Sequence, residues 1–206
     1  MALNTKIKDL LIIFTRNPEL GKVKTRLAKD VGDQAALEIY EFLLAHTILV
    51  TRDLDVHKEV WFSENILVDQ TWDASVYSKK LQQGKDLGAR MQHAFDEGFE
   101  NGFRNIIIIG SDMYDLQTTD LANAFRILKK KEYVIGPAED GGYYLLGMRN
   151  SEPKIFKNKQ WGTSSVLQET LNDLKGRNIA FTDLRNDVDI LSDIQNHEDF
   201  QKFLKK

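Results

Sequence analysis

Strand-length apolar runs alternate with segments of helical period along this chain, the pattern of a mostly parallel sheet covered by helices on both faces. Leu10 to Phe14 reads as a first buried strand. After a polar loop, Gln34 to Val50 sets Ala35, Leu37, Ile39, Phe42, Leu43 and His46 near helical spacing, with Asp33 placed to cap it. Val56 to Phe62 reads as a second strand. The pattern is weak from Ser63 to Gln83, where only Val76 to Leu81 suggests a short strand. A helix begins at Asp86, with Leu87, Met91, Ala94, Phe95 and Phe99 on one face, and ends at Asn101-Gly102, where a left-handed cap costs little. Asn105 to Ile109 holds four consecutive isoleucines, the composition of a strand buried on both faces.

The second half repeats the alternation. Thr118 to Lys130 reads as a helix capped by Thr118 or Thr119, with Asp120 in its first turn. Short strands at Tyr133 to Ile135 and Tyr143 to Met148 flank a turn from Pro137 to Gly142. Ser164 to Leu174 is helical, Ile179 to Leu184 a last strand, and Ser192 to Leu204 a closing helix. No repeat, linker or low-complexity tract interrupts the series, so residues 1–206 are expected to form one α/β domain.

Composition narrows the chemistry. Hydrophobic residues make up 42% and charged residues 29% of the 206, the balance of a globular protein. A net charge of -3 offers no general attraction to nucleic acid or anionic lipid, so a polyanion must be held by a local patch. With no cysteine, disulfides, thiolate metal sites and cysteine nucleophiles are all excluded. Met1 to Asp9 lacks the pattern of a secretory leader, and no apolar run approaches the ~20 residues that span a bilayer, so a cytoplasmic location is expected. Oligomeric state is not legible.

In open α/β sheets ligands sit beyond the carboxyl ends of the strands, which directs attention to the loops leaving the first and fourth strands. The first, Thr15 to Arg26, carries Arg16, Lys22, Lys24 and Arg26 inside an acidic chain. It is a candidate phosphate clamp, or else a solvated basic loop. It has neither the glycine spacing nor the hydroxyl of a Walker A loop, and no Gly-x-Gly-x-x-Gly follows the first strand. The second loop, Gly110 to Leu116, places Asp112 where it either holds a hard cation or, like Asp115, closes a turn. Gly136 to Tyr144 contains Asp140-Gly141-Gly142, which admits a close ligand or makes an ordinary hairpin. Asp187-Val188-Asp189 offers a second carboxylate or a solvated loop ahead of a helix capped by Ser192 or Asp193. Gln82-Gln83-Gly84 and Leu87 to Arg90 border a helix start, and Trp161 to Ser165 sets three hydroxyls at another, a ready anion site. His46, His57, His93 and His197 have no metal-ligand spacing and read as structural.

With these loops in this order, the chain resembles the bacterial DUF2064 family, glycosyltransferase-A-like proteins also called selenodomain-associated transferase 1. The matching stretches are Ile12 to Leu27, Gln83 to Phe95, Ile109 to Leu116, Gly136 to Met148, Trp161 to Leu171 and Asp187 to Phe200. The resemblance implies a three-layer α/β/α Rossmann-like GT-A fold and a nucleotide-diphospho-sugar transferase. It implies nucleotide phosphates on Thr15, Arg16, Lys22, Lys24 and Arg26, with Gln83 and Gly84 beside them. It implies Mg2+ or Mn2+ on Asp112 and Asp189, with Asp112 and Asp140 catalytic. Gly141, Gly142, Tyr143 and Thr163 fall on the substrate side. The implied partners are a nucleotide or nucleotide-sugar and a small-molecule acceptor. The function expected is metal-dependent glycosyl transfer from a nucleotide-sugar, with nucleotidyl transfer to a phosphorylated small molecule and non-catalytic nucleotide binding as alternatives.

Overall fold

The computed structural model describes residues 8–68 and 71–204. Residues 1–7, read above for a leader pattern, and residues 69–70 of the weakly patterned stretch lie outside the described residues. The strands are β1 (Asp9–Thr15), β2 (His57–Phe62), β3 (Ser78–Leu81), β4 (Asn105–Ile109), β5 (Tyr133–Pro137), β6 (Tyr143–Met148) and β7 (Ile179–Phe181). They form one sheet in the order β3-β2-β1-β4-β6-β5-β7. Only β6 runs against the others, antiparallel to both β4 and β5. The reason is the short 138–142 connection: a crossover needs a dozen residues or more, so β6 must fold straight back along β5.

Helices cover both faces: α1 (Ala28–Val31), α2 (Asp33–Thr51), α3 (Leu87–Glu100), α4 (Thr118–Leu128), α5 (Val166–Asp173), α6 (Leu191–Ile194) and α7 (Gln201–Leu204). The isoleucine run shows why three layers form. Ile107 and Ile109 enter the core under α2 and α4, while Ile106 and Ile108 enter the core under α3, with Leu11/Ile13 and Leu10/Ile12 of β1 dividing the same way. A strand's side chains alternate between faces, so a strand apolar throughout requires cover on both.

Several ends differ from the sequence pattern. Asp33 is the first residue of α2 and not its cap, because Gly32 makes the turn at φ +85°. The cap of α4 is Gln117, not Thr118 or Thr119, and its N–H donates to the Asp120 carboxylate at 2.8 Å. The closing helix is broken: α6 stops at Ile194, a 3-10 turn spans Glu198–Phe200, and α7 follows. Six residues of continuous helix would turn Phe200 about 120° away from Ile194. The break lets both enter one cluster with Leu27, Ile39, Leu43 and Val188. Asp193 acts from the first turn of α6, accepting the N–H groups of Asp189 and Ile190, each at 2.8 Å.

Candidate active site

Parallel pairing of β1 with β4 brings Thr15 and the Gly110–Asp112 segment to neighbouring strand ends. A knot of hydroxyls fixes them. Tyr40, from α2, lies 3.1 Å from the Thr15 hydroxyl and 3.2 Å from that of Ser111, and its oxygen accepts the Arg16 N–H at 2.8 Å. Thr15 is therefore turned inward and its hydroxyl is spent on the fold, which removes it from the expected phosphate contacts. Tyr40 and Ser111 escaped sequence reading because nothing in a helical pattern marks one tyrosine as a strut. Asn17 anchors the next step of the loop, donating to the Asn65 carbonyl at 2.8 Å and accepting the Glu64 N–H at 3.1 Å.

The four cations of this loop do different things. Lys24, nearly buried and at φ +46°, sets its Nζ 2.8 Å from Asp112 Oδ2. Burial alone would lower its pKa, but the carboxylates of Asp112, Asp187 and Asp189 together outweigh that and raise it. Arg26 pairs with Asp189 at 2.5 Å. Arg16 is exposed and close enough to stabilise the Asp112 charge. Lys22 is engaged elsewhere, 2.7 Å from Glu19 and 3.5 Å from Glu64. Gln83 is exposed on the loop after β3, and it is Gln82 that donates to the carbonyls of Thr15 and Trp61. Gly84, at φ +143°, passes so close to α3 that a Cβ would lie 2.7 Å from the Arg90 nitrogen.

Asp112 is folded back over the strand end, where a Cβ on Gly110 would sit 2.8 Å from its Oδ1. Burial pushes its carboxyl up, but the Lys24 ammonium outweighs burial by charge and hydrogen bond and holds it below the ordinary value. The loop carrying Asp187 is tied to it, Val188 donating its N–H to the Asp112 carbonyl at 3.3 Å. Asp187 is the perturbed group here: burial, then the charges of Asp112 and Asp140, push its pKa up to about 6. Asp115 is drawn away to Arg185, which also holds Asp120, and so braces the loop.

Asp112, Asp140 and Asp187 line a cavity of about 200 Å³, together with Gly142, Tyr143, Thr163 and apolar side chains from α3, the 113–116 loop and α5. Arg26 and Asp189 lie outside that lining. The Asp140-Gly141-Gly142 turn is both things it could be: a hairpin tip, closed by the Gly142 N–H donating to Asp140 Oδ1 at 2.8 Å, and part of the cavity wall. Gly141 serves the fold. At φ +87° it meets the 161–165 turn, where a Cβ would lie 2.4 Å from the Ser164 carbonyl oxygen. Thr163 lines the cavity with its hydroxyl donating to the Gln160 carbonyl at 2.8 Å. The histidines are packing residues: His46 meets the Leu116 carbonyl and the Tyr114 ring, and His57, His93 and His197 lie against aromatic rings.

Among the described residues no three His, Asp or Glu side chains are set to hold a metal by themselves. No helix among them is long and apolar enough to cross a membrane.

The model of the family DUF2064, "Uncharacterized protein conserved in bacteria", matches residues 45–163. Among solved structures, a candidate nucleotide-diphospho-sugar transferase from Desulfovibrio desulfuricans G20 is 29% identical with a TM-score of 0.84, covering 93% of this chain and 89% of its own. A cytidylyltransferase from Leptospira borgpetersenii is 13% identical with a TM-score of 0.58, over 91% and 83%. A Mycobacterium tuberculosis H37Rv protein solved with manganese is 11% identical with a TM-score of 0.53, over 96% and 98%. At those last two identities the likeness is one of fold. No curated protein matches the chain.

Proposed function

The chain belongs to the DUF2064 family of bacterial proteins, and we propose that it is a metal-dependent transferase that takes a nucleotide-sugar as donor. One observation carries this reading. Asp112 stands at the end of the central strand with the cations of the β1 loop on one side and a cavity on the other, and Asp187 lines that cavity beside it. The Desulfovibrio protein, the neighbour with a TM-score of 0.84, is described as a candidate nucleotide-diphospho-sugar transferase, which supports the transferase part of this reading.

The residues present fit a hard divalent ion. Mg2+ is held by one or two carboxylates together with substrate phosphates rather than by an all-protein cage. Asp112 and Asp187 supply that pair, both lining the one cavity. We assign the second carboxylate to Asp187, which lines the cavity with Asp112, and not to Asp189, which lies outside that lining. When bound, Mg2+ or Mn2+ neutralises charge growing on the departing diphosphate. Lys24 and Arg16 share that work from the loop side, as cations fixed before the charge develops. Asp140 acts as general base at the hairpin tip, with Oδ1 pinned by Gly142 and Oδ2 left to take a proton. The acceptor hydroxyl oxygen bonds to the anomeric carbon and its proton passes to Asp140. The bond from that carbon to the diphosphate breaks, with its electron pair leaving on the diphosphate.

Nucleotidyl transfer would use the same basic loop and the same carboxylates, but beyond the metal the described cavity lining offers no Lys, Arg or His side chain to a phosphorylated acceptor. Thermal unfolding against nucleoside triphosphates, diphosphates and nucleotide-sugars, with and without Mg2+ or Mn2+, tests the proposal. A ligand at ~100 times its Kd adds roughly 2.7 kcal/mol. A metal-dependent shift is expected, largest with a nucleotide-sugar and lost in Asp112→Asn. Equal shifts without metal point to a non-catalytic binder, and triphosphate preference with pyrophosphate release to nucleotidyl transfer.

A further inference from the structure

We propose that the cavity beside Asp112 binds the apolar body of an uncharged acceptor alcohol. This rests on the transferase reading for the word acceptor, and on the cavity's own chemistry for the rest. Its walls are Leu87 and Met91 of α3, Met113 and Leu116 of the loop after β4, Trp161, and Val166 at the start of α5. Met91, Met113, Leu116 and Val166 are nearly buried, whereas Leu87 is 44% exposed at the mouth. Two methionines let such a wall adjust to the shape of its occupant.

At the acceptor end, Asp140 keeps its charge beside a bound metal and disfavours an anionic occupant. The ionisable groups of the described lining are Asp112, Asp140 and Asp187, with no Lys, Arg or His among them. A phosphate or carboxylate on the acceptor would meet like charge on that side. A polyhydroxylated acceptor is disfavoured for a different reason, since open neutral polar groups are few: of the two lining tyrosines, Tyr144 is held by Thr182 and only the Tyr143 hydroxyl has no partner among the described residues. The Gly142 N–H is spent on Asp140, and the Thr163 hydroxyl donates to Gln160 and sits 3.1 Å from Ser165 Oγ. A sugar's several hydroxyls would find few open partners, and each one left unpaired would weaken binding. A single hydroxyl directed at Asp140, on a body of a few carbons, satisfies both constraints.

The four methionines give a direct readout, because Met91 and Met113 line the cavity while Met148 lies in the sheet core. The protein is labelled with 13C-methyl methionine and titrated in EDTA, without nucleotide, with ethanol through pentanol, glycerol and pentyl phosphate. The expected result is movement of the Met91 and Met113 methyl signals with Met148 still, and a Kd that tightens about fourfold per added methylene. Leu87→Gln, at an exposed position that the fold tolerates, should weaken pentanol about fourfold. A flat alcohol series, tighter binding of glycerol or pentyl phosphate than of pentanol, or shifts confined to Met148 would each overturn the proposal. Since nucleotide and metal are absent, a failed nucleotide panel counts against the transferase reading alone, and a flat alcohol series against this inference alone.

Discussion

Two aspartates a few residues beyond different strands carry opposite electrostatic signs. Asp112 is held below its ordinary pKa by Lys24, so its ionisation stabilises the fold above the unfolded value near 3.8, and that contribution is lost as pH falls through the folded value. Asp187 is pushed from 3.8 up to about 6, so it destabilises the folded state fully above about pH 6 and not at all below 3.8. Asp187→Asn should therefore raise stability at pH 7.5. Two pH units correspond to about 3 kcal/mol; partial exposure to solvent reduces the expected gain to about 1–2 kcal/mol. Urea midpoints at pH 7.5 and pH 4 check this, the gain vanishing at the lower pH, while metal-dependent nucleotide stabilisation disappears at both. Lys24→Met should do the reverse. Removing one partner of a largely buried pair costs about 1–2 kcal/mol at pH 7.5, less than for a fully enclosed pair because Asp112 is partly exposed. That loss should fade in acid as Asp112 protonates.

At the scale of elements, the site is a set of loops held at fixed separations by contacts that bind nothing. Tyr40 is one such contact. Tyr40→Phe leaves the buried hydroxyls of Thr15 and Ser111 with one partner fewer, at a cost of about 1–3 kcal/mol. Gly141 is another, where a methyl group meets both a positive φ and the Ser164 backbone. Gly141→Ala should destabilise by about 2 kcal/mol or more and raise hydrogen exchange in the hairpin tip and the first turn of α5 together. Sequence patterning found the strands, because apolar runs such as Ile106 to Ile109 record burial directly. It pointed to Asp112 and Asp140 because strand ends and turns are marked, and both line one cavity. It could not find Tyr40, nor choose between Asp187 and Asp189. Those depend on which atoms converge from separate parts of the chain, Tyr40 reaching Thr15 across 25 residues and Ser111 across 71, and side-chain periodicity carries no information about that. The broken closing helix escaped for the same reason, since its break is set by what Ile194 and Phe200 must both reach.

For the whole molecule, that C-terminal break joins the periphery to the site. Leu27, at the end of the basic loop, and Val188, between Asp187 and Asp189, belong to one apolar cluster with Ile39 and Leu43 of α2 and with Ile194 and Phe200. The ring of Tyr114, in the loop after Asp112, packs edge-on against Phe200 with centroids 4.9 Å apart. Three of the site loops thus lean on a cluster closed by α6, the 3-10 turn and α7, although no residue of those elements is in the described cavity lining. Phe200→Ala should cost about 3–4 kcal/mol as a cavity in this cluster. It should also weaken metal-dependent nucleotide binding, since the carboxylate and the cations lose a common support. Leu128→Ala provides the control. It lies in the core at the far end of α4 and should cost a comparable 2–5 kcal/mol with no effect on binding. The two variants are compared by nucleotide titration well below their unfolding temperatures. Equal affinity in both would mean that the C-terminal cluster supports the fold and not the site; weaker binding in Phe200→Ala alone is the outcome the packing requires.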